Sequence, residues 1–528
     1  MLPRPHPRLL TALAGLGVAA LTTAATQPAP AAATGALMVG LDRSPNTGEP
    51  HTLTSHATVV VMLREGTRTV LSFQSDYAGP AEDFALVVPV PTAVQPSDVH
   101  TLHPSVFEAV ERAAGPRVVA LWARDPCPTP PTPVGSASPT SMMGAEVGQP
   151  FTARDDLVPV RVQSQFQAGE YDISMVEASD ASGLEAWLRA QHLAVTERAS
   201  AALRPYVEAG MQFFVARVNV ARLAALSPEH AAGLQQGRVM LSPLRFHVDS
   251  ERFVLPMRLG LANSAGEQDL TVHILSPEGR YAAANYRNRF APTNQPLTLG
   301  LGVDLSRTYE RLFARLSRTS PRTVFTEYAG AITPRRADPS CLGCERAGVS
   351  PAVLDALGAG ELPGHMRWTS EPGQARYAHF VLTRLHYRYA PSGLPQDLEL
   401  ELAPPVAGGY DDATQARALS VPARASLNDF GVRFISKQRW ADRVSCDAPR
   451  RHQWGTSPRG SEPAPPPRSL AGNMSQRSAS EATTSAGAGA VHATWPCRAA
   501  PSLRPRRGAG GSAARPGGPA LRRSGRRR

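Results

Sequence analysis

The 528-residue chain is long enough to bury a large core, and its formal charge of +11 is unevenly placed. Thirteen arginines against two acids after residue 455 account for the whole excess, so residues 1–455 are balanced and do not read as a nucleic-acid-binding domain. Lys437 is the single lysine among 55 basic residues, which removes the usual candidates for Schiff-base and P-loop chemistry.

Arg4 and Arg8 precede an uncharged run from Leu9 to Ala25, and Ala31-Ala32-Ala33 offers an A-x-A cleavage site. This pattern predicts a secretory signal peptide over 1–33, cut after Ala33, and an exported protein of the periplasm, cell surface or medium. The apolar run is short of the roughly 20 residues of a membrane span, so no span is expected after processing. An uncleaved N-terminal anchor is the alternative. Ala57–Leu63 and Arg68–Tyr77 read as strands around Glu65-Gly66, and Ala85–Val90 as a third. Pro104 opens a helix with Val106, Phe107 and Val110 on one face, behind His100 and His103 in its capping region. Residues 125–156 are Pro/Ser/Gly/Thr-rich and mark a boundary between two lobes, if there are two.

Strands follow near Val158–Gln165 and Tyr171–Val176, then helices through Leu184, Trp187 and Leu188 and over Ala199–Glu208, then a strand over Phe213–Val220. Residues 243–287 are strand-rich, with Phe253, Leu255, Met257 and Leu259 alternating on one face. Asp304 caps a helix presenting Leu305, Tyr309, Leu312, Phe313 and Leu316, and Thr323–Tyr328 leaves it as a strand. Tyr377–Tyr389 reads as a long strand, followed by a turn and the alternating Asp397–Leu402. Placing Arg388 opposite Glu399 and His386 opposite Glu401 predicts an antiparallel hairpin with a charge ladder. The alternative is that Arg384 and Arg388 hold an anionic ligand. From 456 to 528 the chain is Pro, Ser, Gly, Ala and Arg without apolar periodicity. It is expected to be disordered, either a selected tail able to contact anionic surfaces or an altered reading frame. The fold class expected for 34–455 is a single large α+β module, predominantly antiparallel sheet with a few amphipathic helices.

The cysteines Cys127, Cys341, Cys344 and Cys446 precede the tail, and an even number in an exported protein favours disulfides in one of three pairings. Cys497 is left over in the tail. Cys341 and Cys344 also admit a zinc half-site or a redox pair, but there is no second CxxC and no HxxxH. No G-x-S-x-G, Walker lysine or correctly spaced G-x-G-x-x-G is present, so no cofactor or metal is expected. His379 and His386 face opposite sides of one strand, whereas His247 and His273 could meet across neighbouring strands. Asp76, Glu82 and Asp83 form a polar cluster open to calcium binding or, more simply, to turn formation. Asn263, Asn285, Asn288 and Asn294 read as turn and bulge asparagines.

Several segments resemble an uncharacterised family of exported bacterial proteins, domain of unknown function 2330. They are Tyr77–Phe84 leading into Val87–Pro91, Leu255–Gly260 with Asn263-Ser264, Gln268–Leu270, Ala284–Asn288 with Pro292–Asn294, Thr326–Ala329, Leu382–Tyr389, and Cys446, Arg450 and Trp454-Gly455 near the end. The resemblance spans about 57–455 and implies export and one large module, but no catalytic residues. Relatives often carry a Cys-Gly-Gly-type segment after the signal peptide; Thr34–Gly48 holds no cysteine. The functional expectation is a non-enzymatic envelope or surface module that binds a partner or takes part in assembly. The alternative is an exported hydrolase assembled from dispersed residues. A pocket uniting Asp76, Glu82, Glu327, His386 and Arg388 would favour the enzyme, and their dispersal the binding module.

Overall fold

Runs such as Val59–Leu63 and Ala85–Val88 are apolar without alternation, which a strand tolerates only when both its faces are covered. The fold bears out that requirement. The computed structural model describes residues 36–42, 58–80, 82–127, 161–178, 180–263, 266–297, 304–333, 348–364, 379–389, 396–409 and 422–440, with short pieces at 31–32, 53, 377, 443–446, 449 and 454–455. The chain is mixed α+β with mostly antiparallel sheets.

The largest sheet places Thr323–Ala331, Val381–Tyr389, Gln268–Ser276, Thr58–Glu65, Arg68–Ala78 and Leu244–Asp249 side by side in that order. Only the pairing of Gln268–Ser276 with Thr58–Glu65 is parallel in this run. A second sheet of five antiparallel strands runs Leu37–Gly40, Phe84–Val90, Gln212–Val218, Tyr171–Glu177, Arg161–Ala168. The two sheets close on a common core in which Val60, Met62, Phe73, Val272 and Ile274 meet Leu86, Val88, Ile173, Met175 and Phe214. Helices Ala181–Ala190 and Glu197–Glu208 cover the back of the five-stranded sheet through Leu184, Leu188 and Leu203. Helix Ser105–Ala114 and the short Pro351–Ala356 cover the back of the large sheet through Val106, Val110 and Leu354. Helix Leu305–Thr319 closes its far end with Tyr309 and Phe313. The layers are thus helix, sheet, sheet, helix, and each apolar side chain fully buried between them contributes about 1.5–3 kcal/mol.

Most expected elements are present, with four corrections. Val381–Tyr389 does not pair with the Asp397–Leu402 segment, so there is no Arg388–Glu399 or His386–Glu401 ladder. Its neighbours are Gln268–Ser276 and Thr323–Ala331, while Leu398–Ala403 pairs with Val254–Leu255 and Arg280–Ala283. A strand buried on both faces draws its partners from whichever segments complete the layers, not from the nearest alternating run. Tyr377 stands outside that strand with φ of 63°, in the left-handed region. Phe253, Leu255, Met257 and Leu259 are all buried, but only Val254–Leu255 is strand, and Arg258–Asn263 forms a 3₁₀-helix. His247 and His273 are not on neighbouring strands, because Thr58–Glu65 and Arg68–Ala78 lie between theirs.

Cys127 and Cys446 form a disulfide with Cα atoms 5.6 Å apart across 319 residues, one of the three allowed pairings. It pins together the chain ends that leave the parallel neighbours Arg117–Ala123 and Arg433–Gln438. Cys341, Cys344, Cys497, most of the 125–156 segment, the leader apart from the Ala31–Ala32 backbone, and the tail lie outside the described residues. That short stretch runs parallel beside Gln268–Asp269. Among the described residues no helix is long and apolar enough to cross a membrane.

Candidate functional site

The alternation of Thr383-Arg-Leu-His-Tyr-Arg-Tyr389 sends Leu385, Tyr387 and Tyr389 into the inter-sheet core and Arg384, His386 and Arg388 to the opposite face. The neighbouring strand repeats the pattern in antiparallel register, setting Asp269 beside Arg388, Thr271 beside His386 and His273 beside Arg384. On the other side a register shift between Thr326 and Tyr328 leaves Glu327 as the extra residue, and this bulge turns its carboxylate into the same space. Helix Ser105–Ala114 adds Glu111, and helix Leu305–Thr319 adds Tyr309 and Phe313.

The result is a buried ionic cluster. Arg384 Nη1 donates to Glu111 Oε1 at 2.7 Å, and its Nε lies 3.0 Å from Glu327 Oε2, a charge contact not aligned for a hydrogen bond. His386 Nδ1 is 2.7 Å from Glu327 Oε1, to which the Tyr309 hydroxyl also donates. Arg388 forks onto Asp269, with Nε 2.6 Å from Oδ1. The Phe313 ring lies flat on His386, with centroids 3.5 Å apart and planes 2° apart. Glu327 and His273 are fully buried, and Glu111, Arg384 and His386 nearly so.

Two arginines face three carboxylates, so the cluster is one positive charge short unless His386 is protonated. Its electrostatics agree with that count. Burial alone would lower the His386 pKa, but Glu327 and Asp269 outweigh it and raise the value above its ordinary one. Burial alone would raise Glu111, but Arg384, with His273 3.2 Å from its other oxygen, holds it down at about 2. Burial opposes the charge on Asp269 as well, and the Arg388 hydrogen bond keeps its pKa low. His273 is pushed down by burial, which makes it a neutral imidazole. The arrangement is a closed charge lock tying two helices to three strands. General acid–base work would need a substrate atom within hydrogen-bond reach in the plane of the imidazole, where Glu327 faces His386 Nδ1 at 2.7 Å and Asp269 stands 3.7 Å from Nε2.

Of the candidate residues, Glu327, Arg384, His386 and Arg388 are brought together. Asp76 instead pairs with Arg238 at 3.3 Å. Asp83 accepts from the Val220 backbone amide at 3.1 Å and faces Arg217, and buried Glu82 lies beside it in the same turn. Three of the four asparagines bind backbone, since Asn263 bridges Met38, Asn288 bridges Ala283, and Asn285 joins Asp397 to Glu399, whereas Asn294 accepts from Arg433 Nε at 2.5 Å. His103 caps helix Ser105–Ala114 through the Ser105 amide and hydroxyl. His247 bonds Glu361 at 2.9 Å beside Arg245. Among the described residues no group of three or more His, Cys, Asp or Glu side chains is placed to hold a metal ion.

Sequence reasoning missed Glu111, Asp269, His273, Tyr309 and Phe313 as members of the cluster. The signal available was the mirrored alternation of Asp269-x-Thr271-x-His273 and Arg384-x-His386-x-Arg388, two polar faces of matched length.

A separate cleft of about 520 Å³ opens at one end of the sandwich. Met62, Leu71 and Phe246 of the large sheet and Val90 of the other line it, with Tyr206, Ala209 and Met211 at the end of helix Glu197–Glu208. At its edge Asp397 accepts from the Tyr206 hydroxyl at 2.7 Å and the Met257 amide at 2.9 Å, and pairs with Arg258 at 2.8 Å. Arg258 also lies over the Tyr206 ring, 4.8 Å from its centroid. No member of the ionic cluster lines this cleft.

No curated protein and no solved structure matches the chain. A family described as an uncharacterized protein conserved in bacteria, DUF2330, matches residues 29–401. The match begins before Ala33 and stops short of the Cys446–Gly455 segment. With most of its length inside that match, the chain belongs to the DUF2330 family.

Proposed function

We propose that this protein is an exported, non-enzymatic binding or assembly module of the cell envelope, and that its ligand site is the cleft between the sheets. The observation that carries this reading is the separation of the buried ionic cluster from the cavity. Glu111, Glu327, Asp269, Arg384, His386 and Arg388 are locked into a closed cluster away from the cleft, while the cleft is mainly apolar with two matched ion pairs at its edge. The five residues whose union would have favoured an enzyme are divided, with Asp76 and Glu82 in contacts of their own.

The test is cell fractionation of the native host, with intact mass and a panel of chromogenic ester, amide and phosphate substrates. The expected result is a processed protein in the periplasm, surface fraction or medium, with saturable ligand binding and no turnover. Processing after Ala33 would remove Ala31–Ala32 from beside Gln268–Asp269, so the mass also decides whether that stretch remains in the mature protein. A cytoplasmic location, or turnover lost in a folded His386→Gln variant, refutes the proposal.

A further inference from the structure

The chemistry of the cleft's occupant can be argued from its two ends. The inner end is made of Met62, Leu71, Val90, Phe246 and Leu255, side chains that also fill the core between the sheets. An occupant's inner part must therefore be apolar, since an unpaired polar group there would lose its water without replacement. The outer end carries Arg252, Arg258, Asp397 and Glu399. These charges are already matched: Arg258 with Asp397 at 2.8 Å, and Arg252 with Glu399. The mouth thus holds two positive and two negative groups and no net charge. An ionised head group would give up hydration for no net Coulomb gain.

We propose that the cleft binds a neutral single-chain amphiphile, with an apolar chain of about eight to twelve carbons and a hydroxyl-bearing or amide head. The chain lies along the half-buried Met211, Val248 and Val254, backed by Met62, Leu71 and Phe246, and the head meets the Arg258–Asp397 and Asn285 rim. This deepens the binding-module reading and rests on it.

The test is calorimetric titration of the purified full-length protein with monoacylglycerols of eight, ten and twelve carbons, and with dodecanoate and dodecylamine, all below their micelle concentrations. Affinity for the monoacylglycerols should tighten by up to about fourfold per added methylene until the cleft is full. Dodecanoate and dodecylamine should bind at least tenfold more weakly. Ala209 is exposed at the mouth, so Ala209→Trp should block binding with an unchanged melting temperature. Arg252→Glu, also at an exposed position, makes the mouth negative and should improve dodecylamine about fivefold while weakening dodecanoate by a similar factor. Binding of dodecanoate as tight as that of the neutral probe, lost in Ala209→Trp, overturns the ligand class and leaves the cleft as a site. Absence of binding by every probe, or binding untouched by Ala209→Trp, overturns the assignment of the cleft itself.

Discussion

Replacing Arg384 by methionine tests the charge lock most directly. The guanidinium is nearly buried and compensates Glu111 at 2.7 Å and Glu327 at 3.0 Å. Methionine fills much of the same volume but leaves both carboxylates without that partner. Glu111, ordinarily at 4.5, is held at about 2. At about 1.4 kcal/mol per pH unit that shift corresponds to about 3 kcal/mol, shared between Arg384 and His273, and Arg384 also compensates Glu327. The loss falls within the roughly 3–5 kcal/mol expected when one partner of a buried pair is removed. A carboxyl whose folded pKa is depressed stabilises the fold above its unfolded value near 4.5 and loses that contribution as pH falls toward 2. Urea unfolding at pH 7 should therefore show Arg384→Met less stable by about 3–5 kcal/mol. Repeating the measurement down the acid limb should show a weaker decline between pH 4.5 and 2 than in the wild type. Adding Glu111→Gln to the variant should recover part of the loss, because the uncompensated charge is then gone. A loss below about 1 kcal/mol, with an unchanged acid limb, would refute the buried-lock account.

Three further outcomes are expected. Because the His386 pKa is raised, its contribution is full below the unfolded value near ~6.5 and lost as pH rises through the folded value. The stability advantage of wild type over His386→Gln should then shrink as pH rises above about 6.5, and an advantage that grows with pH contradicts the assignment. Removing the Cys127–Cys446 bridge as a double serine variant should cost about 3–5 kcal/mol, and dithiothreitol should lower the wild-type melting temperature to the variant's. Gly409 has φ of 70°, and a Cβ there would stand 2.5 Å from Thr293 Oγ1 and 2.6 Å from the Gly431 carbonyl. Gly409→Ala should cost about 2 kcal/mol or more, read as a lower urea midpoint, whereas Gly210→Ala, also at positive φ but with open space around it, should cost less.

The capped helix at Asp304 shows what local signals convey. An N-cap that accepts from the Arg307 amide at 3.1 Å, followed by apolar residues at helical spacing, is complete within one segment and was legible. So were the strand runs from Thr58 to Val90 and the helices through Leu184 and Leu203. The short helices Val220–Leu226, Pro228–Gln235 and Pro351–Ala356 were not, although Asn219, Ser227 and Ser350 cap them, because one or two turns hold too few apolar positions to show a period.

The ionic cluster divides along the same line. Local alternation alone determined that Arg384, His386 and Arg388 share a face, since side chains two residues apart on a strand must do so. It could not say what that face meets, and Glu399 and Glu401 were the nearest complementary charges in sequence. Only the tertiary structure decided that Asp269, Glu327 and Glu111 are the partners, from segments 119, 57 and 273 residues away from the arginines they answer. Strand pairing in a layered sheet is chosen by the burial of both faces at once, a property of the assembled layers and not of any one strand.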